Sequence, residues 1–108
     1  QGLVTEKPKE DTIDGLKIKV RLLSKDDIKE RNLPKNTTGL VITEIDKDSP
    51  VNYLQVNNII VEAQKKKINT IGDLDNIVKL ALKGNDKSLL IAIYNNNNQR
   101  RYIGVKLN

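Results

Sequence analysis

Residues Gly39 to Pro50 read GLVITEIDKDSP, and this stretch decides the fold. Leu40, Val41 and Ile42 are consecutive branched apolar residues, and Ile45 closes the run. A strand with one wet face alternates apolar and polar residues, whereas a near-continuous apolar run marks a central strand covered on both faces. Asp46-Lys-Asp-Ser-Pro50 then supplies turn chemistry: short polar side chains that bond nearby backbone, and a Pro with no N–H to extend a ladder. A central strand running into an acidic turn is expected here.

Upstream, Leu16, Ile18, Val20 and Leu22 alternate with Lys17, Lys19 and Arg21, the pattern of a half-buried strand. Between the two strands, Ser24-Lys-Asp-Asp27 is a capping box that starts a short helix through Arg31, and Leu33-Pro34 ends it. Downstream, Val51 to Leu54 fit one helical turn, and Ile59, Ile60 and Val61 a third strand. Lys65 to Lys67 read as a polar turn, with Ile68 opening a short fourth strand. Thr70-Ile-Gly-Asp73 is a second capping box, opening a helix over Ile71 to Lys83. Its apolar positions Ile71, Leu74, Ile77, Val78 and Ala81 have helical spacing, and Gly84 is the expected stop. Leu89 to Tyr94 and Arg101 to Leu107 are two strands around Asn95 to Asn98, a hairpin loop because Asn tolerates φ > 0. About six strands, one long helix and one or two short ones predict a small, mostly β α+β domain or capped barrel.

Residues 3 to 12, LVTEKPKEDT, show no periodicity and contain Pro8, so residues 1 to 12 are expected to be a linker and 13 to 108 the domain. A chain without Met is expected to be a fragment, with Gln1-Gly2 a cloning remnant.

The chain has 108 residues, the size of one domain, and its 37% apolar and 31% charged residues are a globular balance. With three Tyr and neither Phe nor Trp, the core must be built from Leu, Ile and Val. The absence of Cys excludes disulfides and thiolate zinc sites, and the absence of His excludes Ser-His-Asp and Cys-His catalysis. Ser24, Ser49 and Ser88 lie outside GxSxG and SxxK patterns and read as a cap, a turn residue and a strand start. Asp26, Asp27, Asp46 and Asp48 match no calcium loop, and no Gly-rich phosphate loop is present. No cofactor or metal is expected, and no apolar run is long enough to span a membrane. The net charge of +5 is spread over Lys and Arg interleaved with acids, without aromatic stacking partners, so a solvated surface is favoured over a nucleic-acid or anionic-membrane site.

What remains is binding. A strand edge beside an apolar helix face can accept an extended peptide, with backbone N–H groups at the strand start holding a terminal carboxylate. Pattern alone favours the plainer view that Leu16, Ile18 and Leu74 are ordinary core.

The order of the segments carries more. Gly39 to Pro50 resembles the PDZ stretch of HtrA/Deg-like serine proteases, in which a GVVV strand leads into an acidic turn and Ser-Pro. Leu54-Gln-Val-Asn-Asn-Ile-Ile-Val-Glu62 is similar to that family's Leu-x-x-Gly-Asp-x-Ile segment, and Ile68 to Leu74 to its short strand and helix start. Gly15-Leu16 and Ile28 to Pro34 resemble its first strand and short insertion, and Leu89 to Leu107 its closing hairpin. The departures are Asn57-Asn58 for Gly-Asp, a shortened helix at Val51 to Leu54, Gln64-Lys65 for the usual Asn-Gly turn, and no His at the groove helix. Tyr102-Ile-Gly-Val105 spells a carboxylate-loop motif of some relatives, but no groove strand follows it, so it reads as ordinary strand.

The resemblance implies a PDZ-like capped five- to six-stranded β-sandwich or partial barrel, probed by peptides between Leu16–Val20 and the helix from Ile71. The peptide-binding residues it implies are Ile13, Asp14, Gly15, Leu16, Ile18, Val20, Leu74, Ile77 and Val78, with Gly15 and Leu16 donating N–H groups to a carboxylate. Asp14 beside that anion site weakens carboxylate binding by its charge. The implied role is non-catalytic: capture of peptide or unfolded-protein segments for a periplasmic serine endoprotease, assembly with preceding PDZ and protease domains of the same or a neighbouring protomer, or both. A PDZ domain of another membrane or processing protease is the alternative.

Overall fold

The computed structural model describes residues 10–52, 54–84 and 87–107. In chain order the elements are β1 (Glu10–Ile13), β2 (Ile18–Leu22), α1 (Lys25–Arg31), β3 (Leu40–Ile45), β4 (Ile59–Ala63), β5 (Lys66–Lys67), α2 (Ile71–Lys83), β6 (Ser88–Tyr94) and β7 (Arg100–Lys106). All pairings are antiparallel, in the order β1-β2-β3-β4-β6-β7 with β5 on β4, and the sheet is not closed. The mostly β fold with one long and one short helix is as expected, with seven strands among the described residues. Among these residues no helix is long and apolar enough to cross a membrane.

The central position of β3 follows from burial on both faces. Leu40, Ile42 and Ile60 join a core with Leu74 and Val78 of α2, whereas Val41, Ile59 and Val61 join a second cluster with Leu33, against which Ile28 of α1 packs. β3 and β4 are therefore sandwiched between the two helices, which is why GLVITEI and NIIVEA lack alternation. Each fully buried Leu, Ile or Val contributes about 1.5–3 kcal/mol of transfer free energy.

Both helices start at the expected capping boxes: Ser24 and Thr70 accept from the N–H of Asp27 and Asp73, whose carboxylates bond back to the cap N–H groups. α1 ends at Asn32 in the left-handed region, φ 57°. Gly84 ends α2, but with extended φ −76° and its N–H on Ala81 O rather than in the left-handed turn that favours Gly.

Four local expectations are corrected. The linker expectation fails at its end, because Glu10, Asp11 and Thr12 belong to β1, which pairs with β2 through main chain while its first three side chains stay exposed and so carry no apolar pattern. Leu16 precedes β2 in the turn Asp14–Lys17, and Leu22 at the other end is 46% exposed, outside both core clusters. Val51 and the residues around it form hydrogen-bonded turns, with Asn52 N–H on Ser49 O and Leu54 N–H on Val51 O, and no helix; Tyr53 lies outside the described residues. The short strand is Lys66–Lys67, and the buried Ile68 follows it, donating to Val61 O. The expected linker over residues 1 to 9 lies outside the described residues.

Asp27 joins α1 to the sheet as well as capping it. Arg21 of β2 donates to both carboxylate oxygens, at 2.7 and 3.0 Å, while the Ser24 N–H donates to one of them at 2.8 Å. The Arg21 hydrogen bonds hold the Asp27 carboxyl well below the usual carboxylate range, against the opposing effect of burial. A depressed folded pKa contributes stability that is complete above the unfolded value, about 3.9, and is lost as pH falls through the folded value. Asp27→Asn is expected to cost about 2 kcal/mol at pH 7. In urea unfolding, the difference from the parent should hold down to about pH 4 and shrink below it.

Candidate peptide-binding groove

The candidate groove is built from β2, the turn before it and α2. The turn Asp14–Lys17 is tight: Lys17 N–H donates to Ile13 O at 2.7 Å and Leu16 N–H to the same oxygen at 3.0 Å. Lys17 takes φ 52°, a left-handed conformation that reverses the chain into β2. Gly15 lies against α2, where an added Cβ would collide with Val78 Cγ1 and meet Leu82 Cδ1 at 3.0 Å. Only a residue without a side chain lets the turn approach the helix this closely.

Ser49 anchors the turn from the far side. Its hydroxyl, 3% exposed, donates to Leu16 O at 2.5 Å and accepts from Val51 N–H at 3.0 Å. Asp46 N–H adds a bond to Lys17 O at 3.0 Å. The acidic turn after β3 thus fixes the turn before β2, two segments some thirty positions apart. Reading Ser49 as a turn residue missed this role; a Ser ahead of Pro in a turn gives no signal of what its hydroxyl will meet.

Six of the nine sequence-derived site residues converge. Ile13, Leu16, Ile18, Val20, Leu74 and Val78 are buried in one cluster between the sheet and α2. Ile77 packs half-buried against it, Gly15 is half-buried in the turn, and Asp14 is exposed. Asp14 stands in the field of Lys79, whose pKa is raised first by its hydrogen bond to Asp75 and to a lesser degree by Asp14. The N–H pair that converges on one acceptor belongs to Leu16 and Lys17, one position later than the Gly15 and Leu16 pair read from the sequence.

The departures from the resembled pattern have physical accounts. Asn57 takes φ 79°, the conformation a Gly would hold, and Asn58 is buried with its side-chain oxygen on Gln55 N–H at 3.1 Å. Gln64 and Lys65 take φ 53° and 66°, the paired left-handed residues of a tight hairpin that usually selects Asn-Gly. The Gln64 amide offsets this strain by bonding Ser88 O and Leu90 N–H on β6. Tyr102 to Val105 lie inside β7, paired with β6 over Leu89 to Ala92, as ordinary strand.

Solved structures share the fold. An HtrA-type protease, AlgW with decapeptide, aligns over 85% of this chain and 28% of its own, with TM-score 0.64 and 18% identity. The HtrA3 PDZ domain bound to a phage-derived ligand, FGRWV, aligns over 94% of this chain and 85% of its own, with TM-score 0.58 and 17% identity. The fold is that of a PDZ domain. The PDZ domain of EpsC from Vibrio cholerae also matches, with TM-score 0.53, 10% identity, and 86% and 97% of the two chains covered. The chain thus spans little more than a quarter of the AlgW chain and nearly all of two isolated PDZ domains. No protein-family profile matches the sequence, and no curated protein matches it significantly.

In this PDZ fold the groove turn depends on one hydroxyl. Ser49→Ala leaves the buried Leu16 carbonyl and Val51 N–H without their partner, and is expected to cost about 1–3 kcal/mol in urea unfolding. Faster amide exchange at Leu16 and Lys17 than at β4 should accompany it.

Proposed function

We propose that this chain is a non-catalytic PDZ domain of an HtrA-like serine protease that captures extended peptide or unfolded-protein segments by their C-termini. The observation that carries the reading is the turn Asp14–Lys17: two N–H groups converge on one oxygen at the start of a strand lying beside α2. Such an amide pair is suited to a carboxylate, the strand edge to main-chain pairing, and the apolar cluster of Ile18, Leu74 and Val78 to a terminal side chain. Two of the structures sharing this fold carry peptides, one an HtrA-type protease and the other an HtrA PDZ domain. The periplasm and a parent serine endopeptidase belong to the same proposal, through the resemblance of Gly39 to Pro50 and Leu54 to Glu62.

A second role in the same parent protein is assembly, and one feature favours it. Leu80 projects from α2 with 66% of its surface exposed, beside half-buried Ile77 and Ala81. An apolar ridge of this kind suits packing against a neighbouring PDZ or protease domain.

The test is a titration of the isotope-labelled chain with peptides ending in an apolar residue, as free acids and as amides. Free acids are expected to shift the amide signals of Leu16, Lys17, Ile18 and Val78, and amidation to abolish the shifts. No response to either set at millimolar peptide overturns capture and leaves assembly as the better account.

A further inference from the structure

The groove already holds a strand. β1 pairs with β2 on the edge opposite β3, in the register Glu10↔Arg21 through Ile13↔Ile18. It runs antiparallel to β2 and ends at the turn, so its direction is that of a C-terminal peptide entering from the open end. Its last side chain, Ile13, is fully buried among Leu16, Ile18, Val20, Leu74 and Val78. Its last carbonyl accepts the Leu16 and Lys17 N–H groups, at 3.0 and 2.7 Å, the donors that the capture reading assigns to a carboxylate.

We propose that Glu10-Asp11-Thr12-Ile13 is an intramolecular ligand, and that it specifies the external one: a peptide with a C-terminal aliphatic residue and an acidic residue three positions before it. This rests on the peptide-capture reading of the same groove. Ile13 fills the apolar site, and its carbonyl oxygen stands where one oxygen of a free carboxylate would sit. Glu10 lies over the basic face of β2: it is directly opposite Arg21, whose pKa is raised first by its hydrogen bond to Asp27 and least by Glu10, and Lys19 is opposite Thr12, whereas Asp11 is opposite the buried Val20. A competing acidic peptide would keep that complementarity and add a full negative charge at the two N–H groups.

β1 is held lightly enough to be displaced. It has four residues, three of them exposed, and among the described residues one side-chain tie to the sheet, from Thr43 Oγ1 to Glu10 at 2.7 Å. Thr12 N–H turns outward to the Asp11 carboxylate at 2.9 Å, so it spends its donor away from β2. A tethered competitor acts at an effective concentration on the order of millimolar, so external affinity is reduced by the fraction of molecules with β1 released. A reduction of about tenfold or more is expected for a strand that competes at the tens-of-micromolar level.

The probe is the synthetic peptide TEKPKEDTI with a free carboxylate, the chain's own residues 5 to 13. Thr12 and Lys19 are directly opposite, with Thr12 N–H outward, the geometry of a close non-hydrogen-bonded pair, and the chain has no Cys. Thr12→Cys with Lys19→Cys therefore locks β1 on oxidation and frees it on reduction within one molecule. Asp11→Pro, which removes a ladder N–H, loosens β1 in the intact chain. Amide exchange in β3 and β4 checks that each variant is folded.

The expected result is binding at least tenfold weaker in the oxidised lock than in the reduced form, and at least tenfold tighter in Asp11→Pro than in the parent. Equal affinity in all four overturns the intramolecular ligand and leaves peptide capture standing. Binding that is present but indifferent to replacing the probe's Glu10 by Gln overturns the specificity drawn from β1. No binding in any form removes the capture reading, and this inference with it.

Discussion

β3 and β4 present apolar side chains to both sides of the sheet, and this constraint organises everything else in the molecule. A strand can hide two faces only inside a three-layer arrangement, so α2 must cover one side and α1 with Leu33 the other. Because aromatic residues are nearly absent, that burial is spread over many Leu, Ile and Val side chains rather than a few large ones. Covering the first face brings α2 down beside β2. Gly15 then meets Val78 with no room for a Cβ, and the distance between helix and turn is set. The groove geometry is thus a consequence of core packing.

Polar anchors complete what burial begins. Ser49 ties the turn after β3 to the turn before β2, and Asp27 ties α1 to β2 through Arg21. Both act at places where hydrophobic contact cannot specify direction. A turn with exposed side chains would otherwise sample many conformations, and the N–H groups of Leu16 and Lys17 would not converge on one point. That convergence directs both donors at the Ile13 carbonyl oxygen.

Much of the fold was legible because the decisive signals are local. The capping boxes at Ser24 and Thr70 appear in the structure with the predicted reciprocal bonds, since both partners lie within one turn of each other. The helical spacing of Ile71 to Ala81 and the unbroken run of GLVITEI report burial directly. Asn57 at φ 79° shows that a missing Gly can be read through when the substitute tolerates the same conformation. Of the site, the apolar members were legible for the same reason: Ile13, Leu16, Ile18, Val20, Leu74 and Val78 are core residues first. The hydrogen bonds of the turn were not, because which N–H groups meet Ile13 O depends on Lys17 taking a left-handed conformation.

From the residues alone, then, came the elements, their order, the apolar faces and the likeness to a PDZ domain, all set by periodicity, caps and turn chemistry over short spans. Tertiary structure alone decided that Glu10 to Ile13 is a strand and that it lies on β2. Main-chain pairing is blind to side-chain type, so an exposed acidic segment without alternation can join a sheet wherever an edge is free and its one apolar residue finds a pocket. The role of Ser49 was likewise decided by space, since its partner at Leu16 is brought near only when β2 and β3 pair.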